Sequence, residues 1–185
     1  MRIVPASSPI VYMSQRKRSR VEVIESADRS IALDPTDVQI LDVLQADSGI
    51  TNVELSRRIG MSPATTLERV KKLENKGIIR KYVALVDHSK LNLSTMAYVF
   101  VTLDTHAREP VERFREQVKA LPEVLECYHM AGEIDYLLKV VGQSIQDLER
   151  FLLDHLAGIE NVAKMRTSFV FSQIKHETKI SLSRP

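Results

Sequence analysis

Between Thr51 and Gly77 two short amphipathic segments follow one another with almost no chain between them, which forces a tight helical corner. Thr51 or Asn52 can cap the first segment. Val53, Leu55 and Ile59 supply its apolar positions, and Gly60 can stop it by taking a positive φ. Ser62 then caps a second helix with Pro63 in its first turn, and Leu67, Val70 and Leu73 form its apolar stripe up to Gly77. Thr65, Thr66, Glu68, Arg69, Lys71 and Lys72 are left on the other faces. A helix, a glycine turn and a second helix with a polar, basic outer face make the helix-turn-helix arrangement.

The flanking segments extend this unit. Asp34 can cap an earlier helix with Pro35 at its start, and Val38, Ile40, Leu41, Val43 and Leu44 give it an apolar stripe that Gly49 ends. After Gly77, residues 78–86 (IIRKYVALV) are rich in β-branched and aromatic side chains, which predicts a strand or wing. Residues 1–32 lack sustained periodicity and carry the run QRKRSR at 15–20; they are expected to form a disordered basic arm. The resulting division is an arm at 1–32, a helix-turn-helix unit at 33–82, a linker strand or hinge at 83–95 and a second domain at 96–185.

That second domain has a different rhythm. Residues 97–103 read as a strand, and Val111, Phe114, Val118 and Leu121 as a helical stripe closed by Pro122. Residues 124–130 and 136–141 read as strands around a turn at Gly132 and Glu133. Ile145, Leu148, Phe151, Leu152, His155 and Leu156 form a second stripe, and 162–171 a last strand. The order βαββαβ is that of a ferredoxin-like fold, so the chain as a whole is α+β. Its helices can cover one face of such a sheet. The other face, with Tyr98, Phe100 and Thr102, is left for a second copy, which predicts a homodimer.

Charge separates the two halves. The net charge is only +2, but residues 51–82 hold eight Lys/Arg against three acids, a net of +5, while residues 91–185 hold eleven against thirteen, a net of −2. One half suits a polyanion and the other does not. The lone Cys127 cannot form an intrachain disulfide and, within VLECYHMA, reads as a small buried strand residue in a reducing compartment. No apolar run approaches the roughly 18–20 residues of a membrane span, and a cytoplasmic protein is expected. The five histidines lack metal-ligand spacing, and no phosphate loop, nucleophile elbow or zinc-protease motif occurs. No metal, cofactor or enzymatic activity is therefore expected, and His155 reads as a core residue on its apolar stripe.

The first turn of the second corner helix faces base edges in this arrangement, so the candidate readers are Ser62, Thr65, Thr66 and Arg69. Arg can grip guanine with two bonds, and Thr offers a hydroxyl and a methyl for thymine. Lys71, Lys72, Arg57, Arg58 and Arg80 suit phosphates, which position without specifying. Glu68 is expected to pair with Lys72 one turn on.

Three segments, LDPTDVQILDVLQADSGITNVELSRRIGMSPATTLERVKKLENKGIIRKY, LPEVLECYHMAGEIDYLLKV and TSFVFSQIKHETKISL, together resemble the Lrp/AsnC family over about residues 33–182. The resemblance implies a winged-helix reader of double-stranded DNA joined to an amino-acid-binding ferredoxin-like domain. It also implies dimers that assemble into four-dimer rings, and regulation of amino-acid metabolism. It places an effector between protomers at the turn Met130, Ala131, Gly132, Glu133, Ile134, Asp135 and Tyr136, with Thr167 and Ser168 as further lining. A glycine turn flanked by acids can offer N–H groups to a carboxylate and a carboxylate to an ammonium. Ala131 departs from the hydroxyl residue common in the family. Met130, Ala131 and Ile134 favour an apolar effector, leucine or methionine. Two other readings are a weakly specific architectural DNA-binding protein and an amino-acid-sensing regulatory subunit of an enzyme. The +5 segment argues against the second.

Overall fold

The computed structural model describes residues 33–182; the expected arm at 1–32, with its basic run, lies outside them. Three helices come first, α1 (Pro35–Ala46), α2 (Asn52–Ile59) and α3 (Pro63–Asn75). Each begins where the sequence supplies a capping oxygen. Asp34 Oδ1 accepts from the Asp37 N–H at 2.8 Å, Thr51 Oγ1 from Glu54 at 3.2 Å and Ser62 Oγ from Thr65 at 3.2 Å. Gly60 ends α2 at φ 71°, in the left-handed region. Ile40, Leu41, Leu55 and Leu73 form the small core between the three helices, with Ile59, Val70, Ile78 and Leu182 packed around it.

The second unit contains β1 (Thr95–Leu103), α4 (Arg108–Lys119), β2 (Val124–His129), β3 (Tyr136–Gly142), α5 (Ile145–Phe151) and β4 (Val162–Phe169). All strand pairs are antiparallel, in the order β2-β3-β1-β4, which is the ferredoxin-like arrangement. Alternation sends Ala97, Val99, Val101 and Leu103 against Phe114 and Val118 of α4 and Leu148 and Phe151 of α5. Phe114 is fully buried, and burial of such a side chain stabilises by about 1.5–3 kcal/mol.

Four expectations change. Residues 78–86 form no strand: Tyr82, Val83, Leu85 and Val86 are exposed, and no strand among the described residues lies alongside to take their backbone groups. Strand-like composition does not make a strand without a pairing partner. Cys127 is exposed, because β2 is a sheet edge. His155 is exposed as well, 5.9 Å from the Phe151 ring. After Phe151 the helix widens into a π turn over Leu152–Leu156, which shifts the phase of the stripe. Glu68 and Lys72 form no ion pair among the described residues.

The chain does not stop at β4. Val170 N–H donates to Met96 O at 2.9 Å, and the segment beyond runs back to the first helix. There the Gln45 side-chain amide donates to Ile180 O at 3.1 Å and accepts from Ile180 N–H at 2.7 Å, while Lys179 Nζ lies 3.2 Å from Asp42. No helix of the described residues is long and apolar enough to cross a membrane.

Candidate functional site

On α3 the inward face is Thr66, Val70 and Leu73, at helical spacing, with Arg69 beside it. Thr66 is fully buried and its hydroxyl donates to Ser62 O at 2.9 Å. Arg69 Nη1 sits 2.5 Å from Asp34 Oδ2 and 2.8 Å from Asp37 Oδ1, with the Asp37 side chain only 9% exposed. Two residues expected to read bases are thus turned into the domain. Leu67, expected inside, is exposed. The Arg69 guanidinium, with the Asp37 N–H, holds the Asp34 carboxyl below its ordinary range, and both carboxylates raise Arg69.

The outer face keeps Ser62, Thr65, Glu68, Lys71 and Lys72 exposed. Ser62 Oγ and Thr65 Oγ1 are 2.8 Å apart, so one hydroxyl donates to the other at the helix start. Lys71 and Lys72 make no ion pair among the described residues. Arg57 and Arg58 on α2 lie 3.7 and 3.4 Å from Glu54, and Arg80 is exposed beyond the helix. The result is a cationic rim around a hydroxyl-bearing helix start, the shape and charge that fit a major groove.

The turn between β2 and β3 divides into an outer and an inner part. Met130, Ala131, Gly132 and Glu133 are exposed, and Gly132 has φ 127°. Asp135 points inward. Its Oδ2 accepts from Leu103 N–H at 2.8 Å and its Oδ1 lies 2.7 Å from His106 Nε2. Burial alone would raise the Asp135 carboxyl, but the Leu103 N–H and His106 outweigh it and hold it below its ordinary value. Tyr136 is buried against Phe114 at 4.7 Å between centroids, and its oxygen accepts from Arg115 Nε at 2.8 Å. Below the turn is a pocket of about 270 Å³, lined among others by His106, Arg108, Arg115, His129 and Asp135. Apart from Asp135, these residues carried no sequence signal: they come from a loop, a helix and a strand edge that only the fold brings together.

Thr167 and Ser168 do not share one side. Thr167 pairs with Val99 and is half-buried on the helix-covered face, whereas Ser168 pairs with Tyr98 on the opposite face. Both lie on β4, two strands from β3, so within one chain neither reaches the turn. Tyr98, Phe100 and Thr102 are half-buried on the helix-free face. That face also carries charge: the Arg166 guanidinium lies 4.7 Å from the Phe100 centroid, and Lys139 donates to Glu126 at 2.9 Å.

Comparison with known proteins matches residues 33–80 to a winged helix-turn-helix DNA-binding family and residues 96–180 to the Lrp/AsnC ligand binding domain. The chain is 36% identical over 152 residues to the transcriptional regulator AzlB of Bacillus subtilis, covering 82% of this chain and 97% of that protein. It is 37% identical over 148 residues to the leucine-responsive regulatory protein of Escherichia coli, covering 80% and 90%. Among solved structures, a Neisseria meningitidis transcriptional regulator in complex with L-Met matches with a TM-score of 0.78 at 40% identity, over 82% of this chain and 97% of that one.

Proposed function

Because this chain belongs to the Lrp/AsnC family of transcriptional regulators, we propose that it reads specific sites on double-stranded DNA and answers to a free amino acid. The outer face of α3 carries this reading: hydroxyls at its first turn, with unpaired Lys71 and Lys72 behind them. Ser62 and Thr65 read bases, and Lys71, Lys72, Arg57, Arg58 and Arg80 hold phosphates. Thr66 and Arg69 support the helix from inside.

The effector site is the exposed arc Met130 to Glu133. Glu133 makes no ion pair among the described residues and is the carboxylate available for an ammonium. Asp135 and Tyr136 anchor the arc from below. Its apolar flank suits leucine or methionine, and the Neisseria relative holds L-Met. Thr167 or Ser168 joins the site from a second copy. The helix-free sheet face makes the homodimer, dimers assemble further into an octamer, and the protein works in the cytoplasm on genes of amino-acid metabolism.

Genome-wide mapping of bound sites, with and without leucine or methionine, tests both halves. Mapped duplexes should bind far more tightly than scrambled ones at matched salt, by roughly 10³-fold or more. Equal affinities would make this an architectural DNA-binding protein instead. An amino acid at a hundred times its Kd should stabilise the fold by ~2.7 kcal/mol. No thermal shift with any of the twenty would remove the effector half.

A further inference from the structure

Helix α1 touches both halves of the molecule. At its start Asp34 and Asp37 hold Arg69 of α3. Near its end Gln45 makes a reciprocal pair of hydrogen bonds with the main chain of Ile180, and Asp42 meets Lys179. Residue 180 belongs to the segment that leaves β4, and Leu182 of that segment packs against the core of the three-helix unit. The side-chain amide of Gln45 donates to and accepts from the main chain of Ile180, and the Lys179 and Leu182 side chains add to its hold on this segment. The same chain that leaves β4 thus ends on α1, and α1 in turn holds α3 through the Arg69 side chain, which is 28% exposed.

We propose that α1 is the link through which the ligand-binding domain sets the pose of the DNA-reading helix, with Gln45 and Arg69 as positioning residues that touch no DNA. The link rests, for its purpose, on the regulator reading above. Its geometry does not: the segment 170–182 is a strap from the sheet to the reader, and the Asp37–Arg69 pair is the clamp that passes its position on. A physical link of this kind is established by energetic coupling between its two ends rather than by adjacency alone.

The test uses the full chain and a double-mutant cycle. Gln45→Ala should lower affinity for a mapped site by about fivefold, the low end of ordinary coupling, and leave a scrambled duplex unchanged. Asp37→Asn should do the same. Because both changes cut one line, the double variant should lose little more than either single one. Amide exchange on α3 should quicken in all three. Lys179→Glu, which puts like charge against Asp42 and leaves the reader's own sequence intact, asks the same question if Gln45→Ala folds poorly. Additive losses, or α3 exchange and site preference unchanged in both Gln45→Ala and Lys179→Glu, would overturn the link. With leucine or methionine added, the change in DNA affinity seen in the wild type should shrink toward none in Gln45→Ala. If the wild type itself ignores every amino acid, the effector reading falls, and the cycle without ligand still decides the link.

Discussion

Arg69 Nη1 and Asp37 Oδ1 stand 2.8 Å apart and join two helices across 32 residues of sequence. Asp37 is almost wholly buried, so Arg69→Ala would leave a carboxylate without its partner in a place water barely reaches. The variant should therefore be less stable, by less than the loss of a fully buried pair because water reaches Arg69. Arg69→Lys should recover part of it through one remaining bond. Urea denaturation of the three proteins measures this. A change in Arg69→Ala below about 0.5 kcal/mol, the range of an ordinary surface substitution, would show that solvent screens the pair.

On DNA, Thr65 and Lys72 should behave differently. Thr65→Ala should cost about 1 kcal/mol or more on a mapped site and almost nothing on scrambled duplex. Lys72→Ala should weaken both alike and flatten the slope of log affinity against log salt by about 0.9. Titrations at several salt concentrations separate the two. If Thr65→Ala lost equally on both duplexes, Thr65 would not be a reader.

Much of the reader was legible because its signals are local. Asp34, Thr51 and Ser62 each cap within three residues of their partner, and Gly60 ends α2 where its positive φ is needed. The strand and helix order of the second unit was legible from periodicity, as was the turn around Gly132. What the sequence hid is of longer range. Thr66 replaced Leu67 on the inward face because its hydroxyl is satisfied by Ser62 O, which lets a polar residue be buried. Arg69 looked like a reader because its partners lie 32 and 35 residues away. His106 reached Asp135 across 29 residues, and no spacing rule predicts such a meeting. The stretch at 78–86 looked like a strand because composition cannot show whether a partner is present.

The Asp135 carboxyl gives a pH signature. Its value lies below the ordinary 3.8, so the charged form is favoured in the fold. That contribution is fully present above pH 3.8 and is lost as pH falls through the lower, folded value. The melting temperatures of wild type and Asp135→Asn should differ by the full amount at pH 5, about one unit above the ordinary value, and the gap should shrink as pH falls through the lower, folded value. A gap that stayed constant to the lowest pH would mean that the carboxylate's charge contributes nothing.

Two glycines should fail for different reasons. A Cβ on Gly142 would lie 2.8 Å from Leu148 Cδ2 and 2.9 Å from Asp147 Oδ2, so Gly142→Ala overpacks the joint between β3 and α5 and should cost about 1–3 kcal/mol. At Gly132 nothing stands within 4 Å, but φ is 127°, and Gly132→Ala should cost a similar ~1–3 kcal/mol through backbone strain alone. Leu148→Ala should couple to Gly142→Ala and be additive with Gly132→Ala in a stability cycle. Equal coupling to both would contradict this assignment.

The bonds between Gln45 and Ile180 span 135 residues, and this sets an order of events during synthesis. The three-helix core, apart from Leu182, is complete once Ile79 has been made. Roughly 100 further residues must follow before Ile180 exists, which at ribosomal speed takes about 5–20 s. Until then the reader can fold with α1 held by Arg69 and the three-helix core but not yet by the strap, so a newly made molecule passes through a stage in which its two halves are joined only by the chain between them.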